Sequence, residues 1–167
     1  VCQELERARG GTALFFNGAQ GDLFPRQTVE DPADEKGLRN FVQAEVLGRA
    51  IAEAVLGALA TVKTKADVSI EVRRTTPELP VTNTLLKILR LMRVVKRKLY
   101  NGRVRTEAWV VTIDGAEIAT IPGQAFCRLG LELKRQMKAA HKFVFGLAND
   151  ELTYMLPPEE WDPKRKA

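Results

Sequence analysis

The stretch E-A-W-V-V-T-I-D-G-A-E-I-A-T-I, residues 107–121, predicts the centre of the fold. Residues 107–114 and 117–121 are two mainly apolar runs rich in β-branched side chains. They are joined by Asp114-Gly115, and an Asp-Gly pair between two such runs is the strongest short-range signal for a hairpin. We therefore expect two antiparallel strands here.

Helical and strand patterns alternate along the rest of the chain. Apolar positions recur at three- and four-residue steps in three segments, which predicts helices at residues 38–60, 84–99 and 125–137. Shorter apolar or alternating runs predict strands at residues 12–16, 68–74 and 142–146. Strands that alternate with helices indicate an α/β fold, a layered mixed sheet with flanking helices. The hairpin makes that sheet only partly parallel.

The organisation of the chain is expected to be simple. We predict that residues 1–167 form one α/β region, with a loose charged tail at residues 162–167. The charged residues 2–9 are helical in character, and the chain opens as though that helix were entered midway. We therefore expect this region to be an incomplete part of a larger domain.

Composition excludes several classes of protein. No apolar run approaches the roughly 18 residues of a spanning helix, and no signal-peptide pattern opens the chain. Cys2 and Cys127 lack the spacing of a zinc motif, and His141 is the single histidine, so this chain alone cannot build a site of several histidines. The net charge of +5 weakly favours anionic partners. The cellular compartment stays open.

Three loops follow predicted strands, where ligands of α/β sheets usually bind. The first, residues 17–27, contains Asn17, Gly21 and Asp22, and its glycines allow backbone N–H groups to approach a ligand closely. The alternative for Asp22 is a helix cap or an Asx turn. The second loop, residues 122–126, offers backbone donors to an anion, or is simply a turn and a helix start.

The third loop, residues 147–161, has oxygen-bearing side chains close together. Asp150 and Tyr154 supply carboxylate and phenol oxygens that suit a hard or borderline metal ion. The alternative is a solvated loop with Tyr154 half-buried.

Residues 84–99, here called the basic segment, combine leucine and isoleucine with lysine and arginine. Arg90, Arg93 and Arg97 belong to a run in which no acidic residue occurs between Thr84 and Glu107. A basic amphipathic helix suits an anionic membrane surface. The alternative is a core-packed helix with a solvated basic face. Nucleic acid is a weaker candidate, because no aromatic side chains interleave with the charges.

Three motifs in this order resemble one family. They are F-F-N-G-A-Q-G-D-L-F-P at residues 15–25, I-P-G-Q at residues 121–124, and G-L-A-N-D at residues 146–150 followed by Tyr154 and P-E-E-W. Over most of its length the chain is similar to the later part of the amidase domain of the neutral/alkaline non-lysosomal ceramidases and their bacterial relatives. The resemblance implies a zinc amidase that cleaves the N-acyl bond of ceramide-like lipids.

The resemblance also implies roles for individual residues. Tyr154 matches the family's zinc-ligating tyrosine, and Gln124 stands where the family has a ligating glutamate. Asp150 is expected on the metal side because of its carboxylate in the third loop, not because of the resemblance. Phe24 replaces the family's serine, so we expect Phe24 and Gly21 to contact the substrate, a lipid-like N-acyl compound.

The catalytic side chains are expected in the first loop. They are Asp22 and Asn17, and Asp22 or Asp150 would orient a zinc-activated water in place of the absent serine. The family's zinc-binding histidines lie upstream of the matching sequence. We therefore expect an upstream segment to complete the metal site, and a homo-oligomer is the alternative partner.

A non-catalytic interpretation stays open beside this one. In it the chain is a degenerate homologue that binds an anionic lipid surface or an acidic partner through the basic segment. Phe24 and Gln124, which depart from the family's pattern, favour it.

Overall fold

The structure is a computed structural model that describes residues 1–24 and 41–161. The chain divides into two compact units. The first consists of Val1–Phe16 and Phe24–Asp67, and the second of Asn17–Leu23 and Val68–Ala167. Among the described residues, no helix is both long enough and apolar enough to cross a membrane.

The described part of the first unit contains two helices, α1 (Cys2–Arg9) and α2 (Phe41–Leu59). Both confirm the periodicity in the sequence over the described residues. Helix α1 ends at Gly10, whose positive φ of 71° places the chain in the left-handed region that favours glycine. The two helices contact each other where Gly48 lies beside Val1.

The strand predicted at residues 12–16 is wrong, because these residues form no strand in the structure. Leu14 and Phe15 are 75% and 63% exposed, so the apolar run is not buried in this unit. An apolar run becomes a strand only when a neighbouring strand offers its unpaired edge. Among the described residues, no strand pairs with this run.

The second unit is built on a four-stranded sheet. Its strands are β1 (Ile70–Thr75), β4 (Ala108–Ile113), β5 (Ala116–Thr120) and β7 (His141–Phe145), in that spatial order. Strands β1, β4 and β5 are antiparallel, with the predicted hairpin at Asp114-Gly115 between β4 and β5. Strand β7 runs parallel to β5. The α/β prediction with a mixed sheet is therefore confirmed.

The parallel pair depends on a crossover, since two parallel strands cannot be joined by a tight turn. Helix α4 (Cys127–Gln136) provides this crossover between β5 and β7, and it packs against β7. The buried side chains of this layer are small or flexible: Ala119, Ala125, Met137 and Val144. Ala125 lies just before α4, in a segment that also belongs to the candidate site.

Two small sheets lie outside the main one. Strands β2 (Glu78–Pro80) and β3 (Arg103–Arg105) pair antiparallel, and β6 (Gln124–Ala125) pairs parallel with β8 (Tyr154–Met155). None of these four short strands was predicted. A 3-10 turn, Pro158–Glu160, follows β8.

The helix predicted over the basic segment is correct only in its first half. Helix α3 (Thr84–Leu91) ends early, and Arg93 takes a positive φ of 61°. Like charges three or four residues apart repel on a helix, and Arg90, Arg93 and Arg97 have this spacing. The repulsion, together with the β-branched pair at residues 94–95, opposes continuation of the helix.

Some predictions fall on residues outside the described ranges. They are the end of the first loop at residues 25–27, the exposed loop at residues 28–37, the first turn of the predicted helix at residues 38–40, and the loose tail at residues 162–167.

Candidate functional site

The three loops singled out in the sequence meet in the second unit. We call residues 17–23, 122–126 and 146–155 the loop cluster. The Gly21 amide donates to the Ala125 carbonyl at 2.8 Å, which joins the first loop to the second. The Gly146 amide donates to the Asn17 carbonyl at 2.9 Å, which joins the third loop to the first.

The second and third loops are joined most extensively. The Leu152 amide donates to the Pro122 carbonyl at 2.8 Å, and the Gln124 amide donates to the Thr153 carbonyl at 2.9 Å. The parallel β6–β8 pair continues this contact, with Gln124 opposite Tyr154. Backbone hydrogen bonds thus fix all three loops, independently of most of their side chains.

Glycines make this close approach possible. A Cβ atom at Gly21 would collide with the Gln124 carbonyl oxygen and lie 2.9 Å from the Phe126 ring. A Cβ at Gly123 would lie 2.7 Å from the Thr153 carbonyl oxygen, and one at Gly146 would collide with the Gly18 carbonyl oxygen. Gly21, expected from the sequence to lie near a ligand, therefore joins Gly123 and Gly146 in bringing the loops against one another.

Asp22 caps a helix in this structure. Its Oδ1 accepts a hydrogen bond from the Cys127 amide at 2.6 Å, at the start of α4. A carboxylate at this position satisfies a free amide and interacts favourably with the positive end of the helix dipole. Asn17 is half-buried, and its backbone carbonyl belongs to the bond with Gly146. The catalytic roles of Asp22 and Asn17 stay predictions.

Tyr154 presents its phenol at the surface of the loop cluster. Its side chain is 54% exposed, and its ring contacts the Phe126 ring edge to face, with centroids 6.4 Å apart. Gln124 is partly buried on the neighbouring strand. Two of the three predicted metal-side residues are therefore adjacent, and the exposed phenol is accessible to a ligand.

Asp150 forms its hydrogen bonds with residues other than Gln124 and Tyr154. Its Oδ1 accepts from the Arg97 guanidinium at 2.7 Å, and its Oδ2 contacts the other terminal nitrogen of Arg97. The Thr106 hydroxyl donates to Oδ2 at 2.7 Å, and the Glu151 amide donates to Oδ1 at 2.8 Å. These donors, Arg97 first, hold the pKa of the Asp150 carboxyl far below its ordinary value, against the opposing effect of partial burial.

The described residues do not by themselves form a zinc site. Among them, no three histidine, cysteine, aspartate or glutamate side chains gather closely enough to hold a metal ion. Gln124 offers a neutral amide and Tyr154 a phenol, while both Asp150 oxygens already accept hydrogen bonds. The zinc prediction thus depends on ligands from outside these residues.

The remaining predicted residues are dispersed. Phe24 is 87% exposed and belongs to the first unit, whereas Gly21 is buried in the loop cluster. Arg90 and Arg93 are exposed, and the Arg90 Nε donates to the Arg97 carbonyl at 3.2 Å. Arg97 is committed to Asp150 rather than to a solvated basic face.

Sequence reasoning missed two features of the site. Thr106 is buried and completes the Arg97–Asp150 interaction, and Phe126 provides the ring against which Tyr154 packs. The absence of any acidic residue within the basic segment was a usable signal, because a half-buried arginine there needs a carboxylate from elsewhere. No local pattern identifies Asp150 as that carboxylate.

Comparisons with known proteins support the fold. No protein-family model matches the sequence, and no curated protein matches it at a significant level. Among solved structures, the chain is similar to the crystal structure of neutral ceramidase from Pseudomonas aeruginosa, with a TM-score of 0.58 and 15% identity. The superposition covers 89% of this chain but only 32% of that chain. The similarity therefore shows a ceramidase-like fold over about a third of that protein's length.

Proposed function

We propose that this chain supplies part of the active site of a ceramidase-like amidohydrolase that acts on N-acylated, lipid-like substrates. The observation that supports this most is the loop cluster. The three motifs that resemble the ceramidase family, although distant in sequence, are joined by backbone hydrogen bonds in a fold similar to a neutral ceramidase.

In this proposal, some residues of the loop cluster have structural roles and Tyr154 binds the ligand. Gly21, Gly123 and Gly146 hold the loops together, and Asp22 fixes the start of α4. Tyr154 is an exposed polar group of the cluster, and its hydroxyl is available to a substrate carbonyl or to a metal ion. Zinc, when bound through Tyr154 and histidines from outside residues 1–167, would polarise the amide carbonyl.

The test is hydrolysis of a fluorogenic N-acyl sphingosine by the full-length natural polypeptide in the presence of zinc. We expect turnover, and we expect Tyr154→Phe to reduce kcat by about 100-fold, the lower end for the loss of one group that acts on the reacting carbonyl. Tyr100→Phe is the matched control, because Tyr100 is the other tyrosine of the chain and lies under Lys98 and Arg105.

Two results would contradict the proposal. One is no turnover by the folded, zinc-supplemented full-length protein. The other is an equal loss of activity in Tyr154→Phe and Tyr100→Phe, since an effect shared by both tyrosines would reflect folding rather than the site.

A second candidate is a non-catalytic homologue that binds an anionic lipid surface or an acidic partner. It is favoured by the exposed Phe24 at the position of the family's serine and by the exposed Arg90 and Arg93. Sedimentation with anionic vesicles at low and high salt tests it. Binding that persists in the double variant Arg90→Glu/Arg93→Glu would contradict it.

A further inference from the structure

A second ligand site is indicated where the basic segment folds against β2, β3 and the third loop. An apolar cavity of about 400 Å³ lies there. Its walls include Leu79, Leu86, Val104 and Leu152. This volume is within the range of about 300–1,000 Å³ that small-molecule pockets occupy, and apolar walls with a few polar groups are typical of them.

A basic concavity of about 850 Å³ adjoins the apolar cavity. The two share four lining residues: Arg90, Val95, Arg97 and Leu99. The concavity is also lined by lysine and arginine side chains that the apolar cavity does not share, namely Lys87, Arg93, Lys96 and Lys98. A ligand in the apolar cavity would therefore have positively charged side chains of the protein beside one of its ends.

The charges of this concavity are largely unmatched. Arg97 pairs with Asp150, but within residues 1–24 and 41–161 no carboxylate forms an ion pair with Lys87, Arg90, Arg93, Lys96 or Lys98. Glu151 is the single acidic residue among the described residues that line either cavity. Low-dielectric walls beside one sign of charge increase the local potential and favour an anion.

The backbone holds the two cavities next to each other. The left-handed turn at Arg93 ends α3, and the Val94 and Val95 amides then donate to the Leu89 carbonyl at 2.9 and 3.2 Å. The Arg90 Nε bond to the Arg97 carbonyl brings the later part of the basic segment beside α3. Asp150 fixes Arg97 from the third loop, so the cavity has defined walls on both sides.

We propose that this site binds one single-chain amphiphile with an anionic head, a carboxylate or a phosphate. The aliphatic chain occupies the apolar cavity, and the head lies among Arg90, Arg93 and Lys96. Arginine suits such heads because its fork of donors matches carboxylate and phosphate oxygens. The proposal is independent of amide hydrolysis, and it differs from docking on a lipid surface because the apolar cavity accepts the chain of one molecule.

Isothermal titration below the micelle concentration tests it with four probes: dodecanoate, dodecyl phosphate, dodecanol and inorganic phosphate. We expect saturable one-to-one binding of the two anionic amphiphiles. Dodecanol, which has the same chain and no charge, should bind at least about tenfold more weakly, since hydrogen bonds between charged groups are stronger than those to a neutral hydroxyl. Inorganic phosphate, which lacks the chain, should bind more weakly still.

Variants separate the head from the chain. Arg90→Gln/Arg93→Gln should weaken the anionic amphiphiles about tenfold or more and leave dodecanol unchanged. Val104→Trp should weaken all three chain-bearing probes by filling the apolar cavity. The matched controls are Lys138→Gln, an exposed lysine outside both cavities, and Val68→Trp, an exposed valine outside both. Thermal melts confirm that each variant is folded.

Several outcomes would overturn the proposal. Equal binding of dodecanol and dodecanoate would remove the role of the charges, and equal weakening by Lys138→Gln would make the effect one of net charge. Binding seen only with micelles or phosphatidylglycerol vesicles would show surface adsorption instead of a site for one molecule. If only one of the two anionic amphiphiles binds, the proposal stands and the preferred head group, carboxylate or phosphate, is identified.

Discussion

The loop cluster and the basic segment belong to the same compact unit, but different interactions fix their shapes. In the loop cluster, backbone amides and carbonyls pair directly, and glycine at positions 21, 123 and 146 allows the segments to touch. In the basic segment, a helix ends among like charges, and one arginine is held by a distant carboxylate. The first region should therefore be sensitive to added atoms, and the second to removed charge.

The largest effect is expected from Gly21→Ala. Its Cβ would collide with the Gln124 carbonyl oxygen and lie 3.1 Å from the Ala125 carbonyl carbon, and backbone cannot yield as a flexible side chain does. We expect the free energy of unfolding to fall by about 3 kcal/mol, as for severe overpacking. Urea unfolding followed by circular dichroism measures it.

Gly115→Ala is the control for that measurement. A Cβ at Gly115 meets no atom within 4 Å, so the change should stay within about 0.5 kcal/mol. An equal loss of stability in both variants would show that close packing does not distinguish the loop cluster from an ordinary turn.

Asp150→Asn tests the basic segment, and we expect it to cause the second-largest loss of stability. The variant leaves the Arg97 charge, which is two-thirds buried, without its counter-ion. Hydrogen bonds to charged groups contribute about 1.5–3 kcal/mol, so we expect a loss of about 2 kcal/mol. Thr106→Val, which removes one neutral donor to Asp150, should lose less.

The effect of Asp150→Asn on stability should also depend on pH. Because the pKa of Asp150 is lowered in the folded state, its stabilising effect is complete above the ordinary carboxyl pKa of about 3.9 and is lost as pH falls below it. The stability difference between wild type and Asp150→Asn should therefore be constant from pH 5 to pH 7 and shrink below about pH 4. A difference that grows on acidification would contradict the Arg97–Asp150 interaction.

Asp22→Ala should cost about 1 kcal/mol, the usual value of a lost helix cap. Asp22→Asn keeps an oxygen acceptor for the Cys127 amide and should recover most of that loss. Full stability in Asp22→Asn together with loss of amidase activity would assign Asp22 a chemical role in addition to the cap. No effect of Asp22→Ala on unfolding would refute the cap.

Arg93→Gly should have the smallest effect, a gain of about 0.5 kcal/mol, because glycine removes the steric cost of a positive φ at a residue with a Cβ. Asn149 in the loop cluster also has a positive φ, of 69°. Asparagine tolerates this region better, so Asn149→Gly should change stability less than Arg93→Gly does. The reverse order would show that the cost of a positive φ does not follow the tolerance of the residue type for the left-handed region.

The elements predicted correctly are those whose signal is local. The hairpin at Asp114-Gly115 and the long helix α2 each follow from turn chemistry or periodicity within one segment. The incorrect strand at residues 12–16 and the overlong helix at residues 84–99 failed because their outcome depends on partners. A strand needs a pairing edge, and a charged helix needs carboxylates, neither of which a single segment reveals.

The sequence by itself determined the α/β class, the hairpin and the three motifs of the loop cluster, because these depend on periodicity, turn residues and glycine positions. Only the tertiary structure decided that Asp22 caps α4 and that Asp150 binds Arg97. Both carboxylates lie far along the chain from their partners, at separations of 105 and 53 residues. A charged group takes the nearest available donor in space, and proximity in space is set by packing rather than by local sequence.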